Sequence, residues 1–288
     1  MKLSIITATR NCAATVADCV ASVCRQTHPY IEHLIIDGAS TDDTLRIIRN
    51  AGFKTERRKR HGSRVTRIIS EPDTGIYDAM NKGITLATGD VIGILNADDC
   101  YADPKVLARV AKLFKDPAVM SCYGDLVYVN GTGVDRFMND FGFKIQLSRH
   151  LLFSVHSSPF KVVRYWKAGN FDPGRFYWGW MPPHPTFFVR RQLYERHGGF
   201  NLNLGSAADY ELMLRFLLKQ RISAAYIPSV LVAMRMGGAS NVSMKNRLLA
   251  NYMDRRAWKV NGLAPLPWTI LCKPLRKLSQ WMVKRLDP

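Results

Sequence analysis

Between residues 3 and 114, short apolar runs alternate with amphipathic stretches, and each apolar run ends in hydroxyls or carboxylates. This rhythm constrains the fold of the 288-residue chain more than any other feature. Leu3 to Ala8 reads as a buried strand and Ala13 to Arg25 as a helix. His33 to Ile36 is a second strand, followed by a Ser40/Asp43 capping box and a helix over Thr44 to Asn50. Arg67 to Ser70 is a third strand, Ile76 to Ala87 a helix, and Asp90 to Leu95 a fourth strand. Asp103 and Pro104 then offer an N-cap and a first-turn proline for a helix through Phe114. A β-α-β-α order of this kind predicts an α/β fold, a mostly parallel central sheet flanked by helices.

In such sheets ligands sit beyond the carboxyl ends of the strands. That rule gathers Thr7, Thr9, Arg10 and Asn11 from the first strand, Asp37 from the second, Glu71 and Asp73 from the third, and Asp98 and Asp99 from the fourth along one rim. Asp98 and Asp99 are adjacent carboxylates on a turn, and they repel each other unless positive charge lies close by. A divalent cation bridging to a diphosphate supplies it. Mg²⁺ or Mn²⁺ needs only one or two protein carboxylates when phosphate oxygens complete its shell. The alternative for a lone Asp-Asp is a surface turn with Asp at favoured positions.

The second half is less regular. Tyr165 to Pro185 is rich in aromatics, proline and glycine. A strand follows at Thr186 to Val189, then a short helix at Arg191 to His197, an amphipathic helix at Ala207 to Leu218, and a strand at Ala224 to Met234. The aromatic stretch from Trp166 to Trp180 serves either as a sugar platform, through the apolar faces of sugar rings, or as core. Trp180 and His184 are the candidate acceptor-side residues, with a hydrogen-bonded structural histidine as the other reading of His184.

Several stretches together resemble the family 2 glycosyltransferases, which have the GT-A fold. They are Ser4 to Asn11, Ile36-Asp37-Gly38-Ala39-Ser40-Thr41-Asp42, Ser70 to Gly83, and Ala87 to Asp99. The resemblance covers roughly residues 2 to 240 and extends to bacterial enzymes of exopolysaccharide or lipopolysaccharide assembly. It implies that Thr7, Thr9 and Arg10 lie beside the base and ribose, and that Asp37 accepts from the base. It also puts Asp73 and Asn81 on the nucleotide side, Asp98 at the ribose or sugar, and the metal, Mn²⁺ or Mg²⁺, on Asp99. Gly198-Gly199-Phe200-Asn201 and Ala207 to Arg215 resemble the acceptor-side segment, in which Asp209 matches the general base; the family often has Glu-Asp where this chain has Ala208-Asp209. Gly237 to Asn241 resembles a loop near the diphosphate. No His follows position 197, so no third protein metal ligand is assigned.

The resemblance implies an inverting hexosyltransferase. Asp209 would deprotonate an acceptor hydroxyl, which attacks the anomeric carbon as the nucleoside diphosphate leaves; a UDP-sugar is the preferred donor on family grounds. The expected organisation is a GT-A domain over 1–240, with a nucleotide-binding half at 1–115 and an acceptor-side half at 116–240. A basic amphipathic helical extension follows at 241–288.

Charge adds a partner. The chain carries a formal net charge of +18, concentrated in Lys54 to Arg67 and in the tail beyond Lys245. A polyanionic neighbour follows from that excess. From Trp268 to Leu286 the tail mixes aromatics, aliphatics and bases. Leu275, Leu278, Met282 and Leu286 can share one helical face, the pattern of an interfacial helix on anionic lipid; packing on the protein's own core is the alternative. The expected acceptor is a saccharide or a polyprenyl-linked one. The six cysteines form no C-x-x-C pair, which predicts a reducing compartment. No apolar run of about 18 residues exists. The expected location is cytoplasmic, peripheral on the inner face of the membrane.

Three rival classes lack their signatures here. A basic nucleic-acid-binding protein would show zinc-finger spacing or an RNA-recognition signature, and neither is present. A metal-dependent nucleotidyltransferase would carry a glycine-rich basic phosphate loop near the first strand, where this chain has Ala8-Thr9-Arg10-Asn11-Cys12. A dinucleotide oxidoreductase is disfavoured because G-x-G-x-x-G is missing.

Overall fold

The computed structural model describes residues 1–53, 64–130, 161–236 and 244–282. The basic run at 54–60, the glycine loop at 237–241 and the tail from 283 onward lie outside the described residues.

The first half follows the expected rhythm. Strands β1 (Leu3–Thr9), β2 (Ile31–Asp37), β3 (Arg64–Ser70) and β4 (Val91–Ile94) alternate with helices α1 (Val16–Cys24), α2 (Thr44–Phe53) and α3 (Ile76–Leu86). β1 and β2 are buried at every position, Ser4, Thr7, Glu32 and His33 included, as strands covered on both faces are. β1 pairs in parallel with β2 and β4, and β2 in parallel with β3. Two expected helix starts differ. The Ser40 hydroxyl is taken up by Asp37 and by the Asn11 N–H, so the Asp42 carboxylate instead accepts from Thr44 N at 3.0 Å. Asp103 accepts from Lys105 N and pairs with Arg109 at 2.7 Å, ahead of a helix α4 that begins only at Val106 (Val106–Leu113).

Beyond β4 the sheet becomes mixed. The remaining strands are β5 (Cys100–Tyr101), β6 (Ser121–Asn130), β7 (Lys161–Trp166), β8 (Phe188–Arg190) and β9 (Ala224–Arg235). The strand order is β3-β2-β1-β4-β8-β6-β9-β5, with β7 also on β6. β8 is the hinge of this order: it runs antiparallel to both β4 and β6 and so joins the two halves into one sheet.

Side-chain alternation along β1 divides the interior. Leu3 and Ile5 face a layer with α1 and α4, whereas Ile6 and Ala8 face a larger core that takes in Phe200, Tyr210 and Phe216. Helices α5 (Arg191–His197) and α6 (Ala208–Met213, continued by a π-turn over Leu214–Lys219) belong to that core. So do the C-terminal helices α7 (Met244–Val260) and α8 (Thr269–Met282). Trp258 of α7 is fully buried, with its indole N–H donating to the Tyr210 hydroxyl at 2.9 Å, and Ile270 of α8 is buried beside it in the same cluster. The C-terminal helices therefore share a core with residues 1–240.

Candidate active site

The carboxyl ends of β1, β2 and β3 are tied into one polar rim. Asp37, fully enclosed at the end of β2, accepts four hydrogen bonds: from the Thr9 hydroxyl (2.9 Å), the Ser70 hydroxyl (2.8 Å), and both the N–H (2.9 Å) and the hydroxyl (2.5 Å) of Ser40. Burial alone would raise its pKa, but these donors outweigh burial and hold the carboxyl below its ordinary range. The neighbouring loops are latched as well: the Asn11 carboxamide oxygen accepts from Thr41 N, and Asn11 N donates to Ser40. Asn11 and Ala39 both take positive φ here, a local strain placed at the rim.

The β3 loop closes against the same edge. The Asp73 carboxylate caps the Gly75 N–H at 3.0 Å and lies 4.0 Å from the exposed Arg10 guanidinium. A Cβ on Gly38 would stand 2.2 Å from Asp73 Oδ2, so any larger residue there would displace the Asp73 carboxylate from its present position.

At the end of β4, Asp98 is half-buried and its carbonyl accepts from Arg235 at 3.3 Å. Asp99 is wholly buried. Its Oδ2 accepts from the Asn96 carboxamide at 3.1 Å, while Oδ1 has no partner among the described residues. Burial and then the Asp98 charge push the Asp99 carboxyl well above the usual carboxylate range. A buried oxygen without a donor, next to a second carboxylate, fits a hard divalent cation whose other ligands are phosphate oxygens and water. Among the described residues no group of three or more metal-ligating side chains gathers; Asp99 and Asp98 are the two adjacent carboxylates that would face such an ion.

Asp209 stands in the first turn of α6, half-buried, with its Oδ1 2.7 Å from Tyr210 N. Two aromatic groups face it. The Tyr77 phenol, only four residues beyond Asp73, lies against the Asp209 backbone and carboxylate; burial and that negative charge raise its pKa far above the phenol range. His184 is buried edge-on to Phe200, with ring centroids 5.6 Å apart; burial lowers its pKa and the Asp209 charge opposes the shift. Tyr77 in turn packs on Phe200 at 5.2 Å. Asp209, His184, Tyr77 and Phe200 thus form one cluster that touches the start of α3, whose preceding loop carries Asp73. Tyr77 was not singled out from the sequence, although its place in Gly75-Ile76-Tyr77-Asp78, directly behind the Asp73 loop, was the available signal.

Three expected contacts are corrected. Thr7 does not reach the rim: it lies mid-strand on the α1 face, fully buried, bonded to His33 Nε2 at 3.0 Å and near Cys19 Sγ. Asn81 offers no free group to a nucleotide. Its Nδ2 donates to Phe200 O at 2.9 Å and its Oδ1 accepts from Phe200 N at 2.8 Å, which clamps the acceptor-side turn to α3. Trp180 is core rather than platform, buried with its indole N–H donating to Ala168 O at 3.0 Å and ringed by Tyr123, Phe171 and Phe176. A cavity of about 480 Å³, lined by Phe171, Tyr177, Leu217, Arg221, Ile222 and Leu263 among others, shares no residue with the rim.

Comparison with known proteins places this geometry in context. The model of the family described as "Glycosyl transferase family 2" matches residues 4–195. A "PGL/p-HBAD biosynthesis glycosyltransferase" of Mycobacterium bovis is 30% identical over 249 residues, covering 85% of this chain and 82% of that protein. Among solved structures, the fold is similar to a mannosyltransferase from Pyrobaculum calidifontis in complex with GDP-Man and Mn²⁺ (TM-score 0.60, 18% identity, 94% of this chain and 68% of that one). It is also similar to S. aureus TarS 1-349 in complex with UDP-GlcNAc (TM-score 0.57, 16% identity, 98% of this chain and 79% of that one). At such identities the two structures speak for the fold, an α/β sheet of GT-A type.

Proposed function

Because this chain belongs to glycosyl transferase family 2 and is a glycosyltransferase, we propose that it inverts an anomeric centre while moving a hexose from a UDP-sugar to a saccharide or polyprenyl-linked acceptor. The reading extends to cell-surface polysaccharide assembly on an anionic membrane. The observation that carries it is the buried, unpartnered Asp99 oxygen beside Asp98 at the end of β4. Burial and the Asp98 charge outweigh the opposing Arg235 charge and leave the Asp99 carboxyl raised, so a cation that arrives with a diphosphate would find an oxygen with no donor already on it.

Each half of the reaction has its residues. Arg10, Asp73 and Asp98 stand on the donor side. Asp37, held ionised by Thr9, Ser40 and Ser70, keeps the wall for base and ribose in shape. Mn²⁺ or Mg²⁺ bound at Asp99 would hold the diphosphate and offset charge on the leaving phosphate. Asp209 takes the proton from the acceptor hydroxyl, and that oxygen attacks the anomeric carbon from the face opposite the leaving group. His184 and Tyr77 fix the surroundings of Asp209. A positioned base of this kind contributes on the order of 10²- to 10⁴-fold. The choice of UDP draws support from the TarS complex with UDP-GlcNAc, whereas the mannosyltransferase neighbour holds GDP-Man with Mn²⁺.

The test is a thermal-shift panel of UDP, GDP, dTDP and CDP, each with and without Mn²⁺. At about 100 times its dissociation constant, a ligand stabilises the fold by roughly 2.7 kcal/mol. Stabilisation by UDP that depends on the metal is expected, and it should vanish in Asp99→Ala. Equal stabilisation with and without metal would remove Asp99 from its role.

A further inference from the structure

Helix α8 is docked on the protein along one side and leaves Leu271 and Leu275 exposed on another. The docked side consists of Thr269, whose hydroxyl donates to Tyr177 O at 2.7 Å, buried Ile270, and Lys273 paired with Asp254 at 2.7 Å; Arg276 reaches Trp178 O at 2.8 Å. On the other side Trp268, Leu271 and Leu275, spaced i, i+3 and i+7, share one helical face. They are 42, 63 and 61% exposed. The 3-10 turn over Pro173–Trp178 completes the surface. Its Trp178 is 53% exposed and packs on Trp268 with centroids 5.7 Å apart. Between them runs an open groove of about 410 Å³ lined by Trp178, Cys272, Leu275 and Arg276. A docked helix ordinarily turns such a stripe inward, so four large apolar side chains in one exposed patch mark a contact surface.

The charge around the patch selects what covers it. Arg276 lines the groove, and the half-buried Arg175, its guanidinium 4.7 Å over the Trp180 ring and donating to Asn170 O at 2.8 Å, stands close enough to act on the Arg276 charge. No carboxylate lines the groove, and residues 265–288 contain five Lys or Arg against one Asp. Tryptophans beside leucines, rimmed by guanidinium groups, match the level of lipid headgroups and the acyl boundary beneath them. We propose that Trp178, Trp268, Leu271 and Leu275, with Arg175 and Arg276, form the face on which the enzyme rests against an anionic bilayer. The face joins two segments about 90 residues apart in sequence, so it is a property of the folded molecule and not of the tail alone. This inference deepens the membrane contact proposed above and is independent of the sugar chemistry.

Flotation of the full chain tests it, using phosphatidylcholine vesicles with and without about 30% phosphatidylglycerol. The wild-type protein should float with the anionic vesicles and lose binding as salt rises. Leu271→Ser with Leu275→Ser, and separately Trp178→Ser, should each lower partitioning roughly tenfold or more. A control pair on α7, Leu249→Ser with Tyr252→Ser, replaces residues 53 and 57% exposed and should leave partitioning unchanged. Nucleotide-induced thermal shifts, measured on every variant, establish folding and keep a failure of the donor site distinct from a failure of this face. Equal flotation of wild-type and patch variants would overturn the proposal. So would no flotation of the wild-type protein, or a dimer in solution that the Leu271/Leu275 pair abolishes.

Discussion

His33 shows how a single side chain can govern the molecule's response to acid. It sits in the middle of β2, buried, with Nε2 bonded to Thr7 and Nδ1 unpartnered among the described residues. Burial lowers its pKa to about 4, against an ordinary 6.5. Between those values the unfolded chain takes up a proton that the folded chain refuses, so stability falls as pH drops from 6.5 to 4 and levels off below. The size of this contribution is roughly 3 kcal/mol. Urea unfolding of His33→Gln across that range should show a flatter pH profile than wild type; an identical slope would remove His33 as its source. Glu32 next to it acts lower on the scale. Burial would raise its pKa, but hydrogen bonds from Ser4, Thr88 and Lys2 bring it down to about 2, so its stabilisation is lost only as pH falls from 4.5 toward 2. Neither residue stands out in the sequence. His33 reads there as part of an apolar strand, and only three-dimensional burial separates it from an exposed strand histidine. Thr7 was misplaced for a related reason. Strand alternation sends it to the α1 face, whereas Thr9, two residues on and at the strand's end, reaches Asp37.

At the level of elements, α3 links the carboxylate rim to Asp209, the proposed base. It begins behind the Asp73 loop, brings Tyr77 to Asp209, and through Asn81 holds both the N–H and the C=O of Phe200. From the opposite side Arg215 braces the same turn, donating to the carbonyls of His197, Gly198 and Gly199 while paired with Glu211. Asn81→Ala leaves two backbone groups without partners, at a cost of about 1–3 kcal/mol for each that stays dry. Urea midpoints should fall accordingly, and Asn81→Asp, which keeps an acceptor for Phe200 N, should lie between. Gly199→Ala is expected to match the alanine variant, because its Cβ would meet Asn81 Oδ1 at 2.3 Å. An unchanged midpoint in both Asn81→Ala and Gly199→Ala would show that the clamp carries no stability. The helices and parallel strands of this half were legible from periodicity and punctuation. The clamp was not, since a carboxamide inside Tyr77-Asp78-Ala79-Met80-Asn81 carries no mark of a partner 119 residues away. The Ser40 capping box failed because a stronger acceptor, Asp37, competes for the same hydroxyl.

For the molecule as a whole, the sheet order keeps the residues proposed for the donor and the residue proposed as base on separate elements. The parallel half, β3-β2-β1-β4, presents Asp37, Asp73 and Asp98, whereas Asp209 stands on a helix beyond β8. The C-terminal helices are built into the acceptor-side core through Trp258. Trp258→Ala should therefore cost about 3–5 kcal/mol and leave a single unfolding transition. A separate early transition for α7 and α8 would contradict the shared core. The shared rim was readable from the strand ends, and the family and reaction class from the resemblance that those motifs carry. The antiparallel insertion of β8 and the burial of Trp180 were not, since the aromatic-rich segment reads equally well as platform or core. Asp209 is the proposed base for a sugar held on the other side of the cleft. The measurement that bears on it most directly is steady-state sugar transfer by Asp209→Asn, with nucleotide affinity titrated in parallel. A fall in turnover of at least about 10²-fold, with affinity unchanged, is the expected result. Turnover equal to wild type would contradict it.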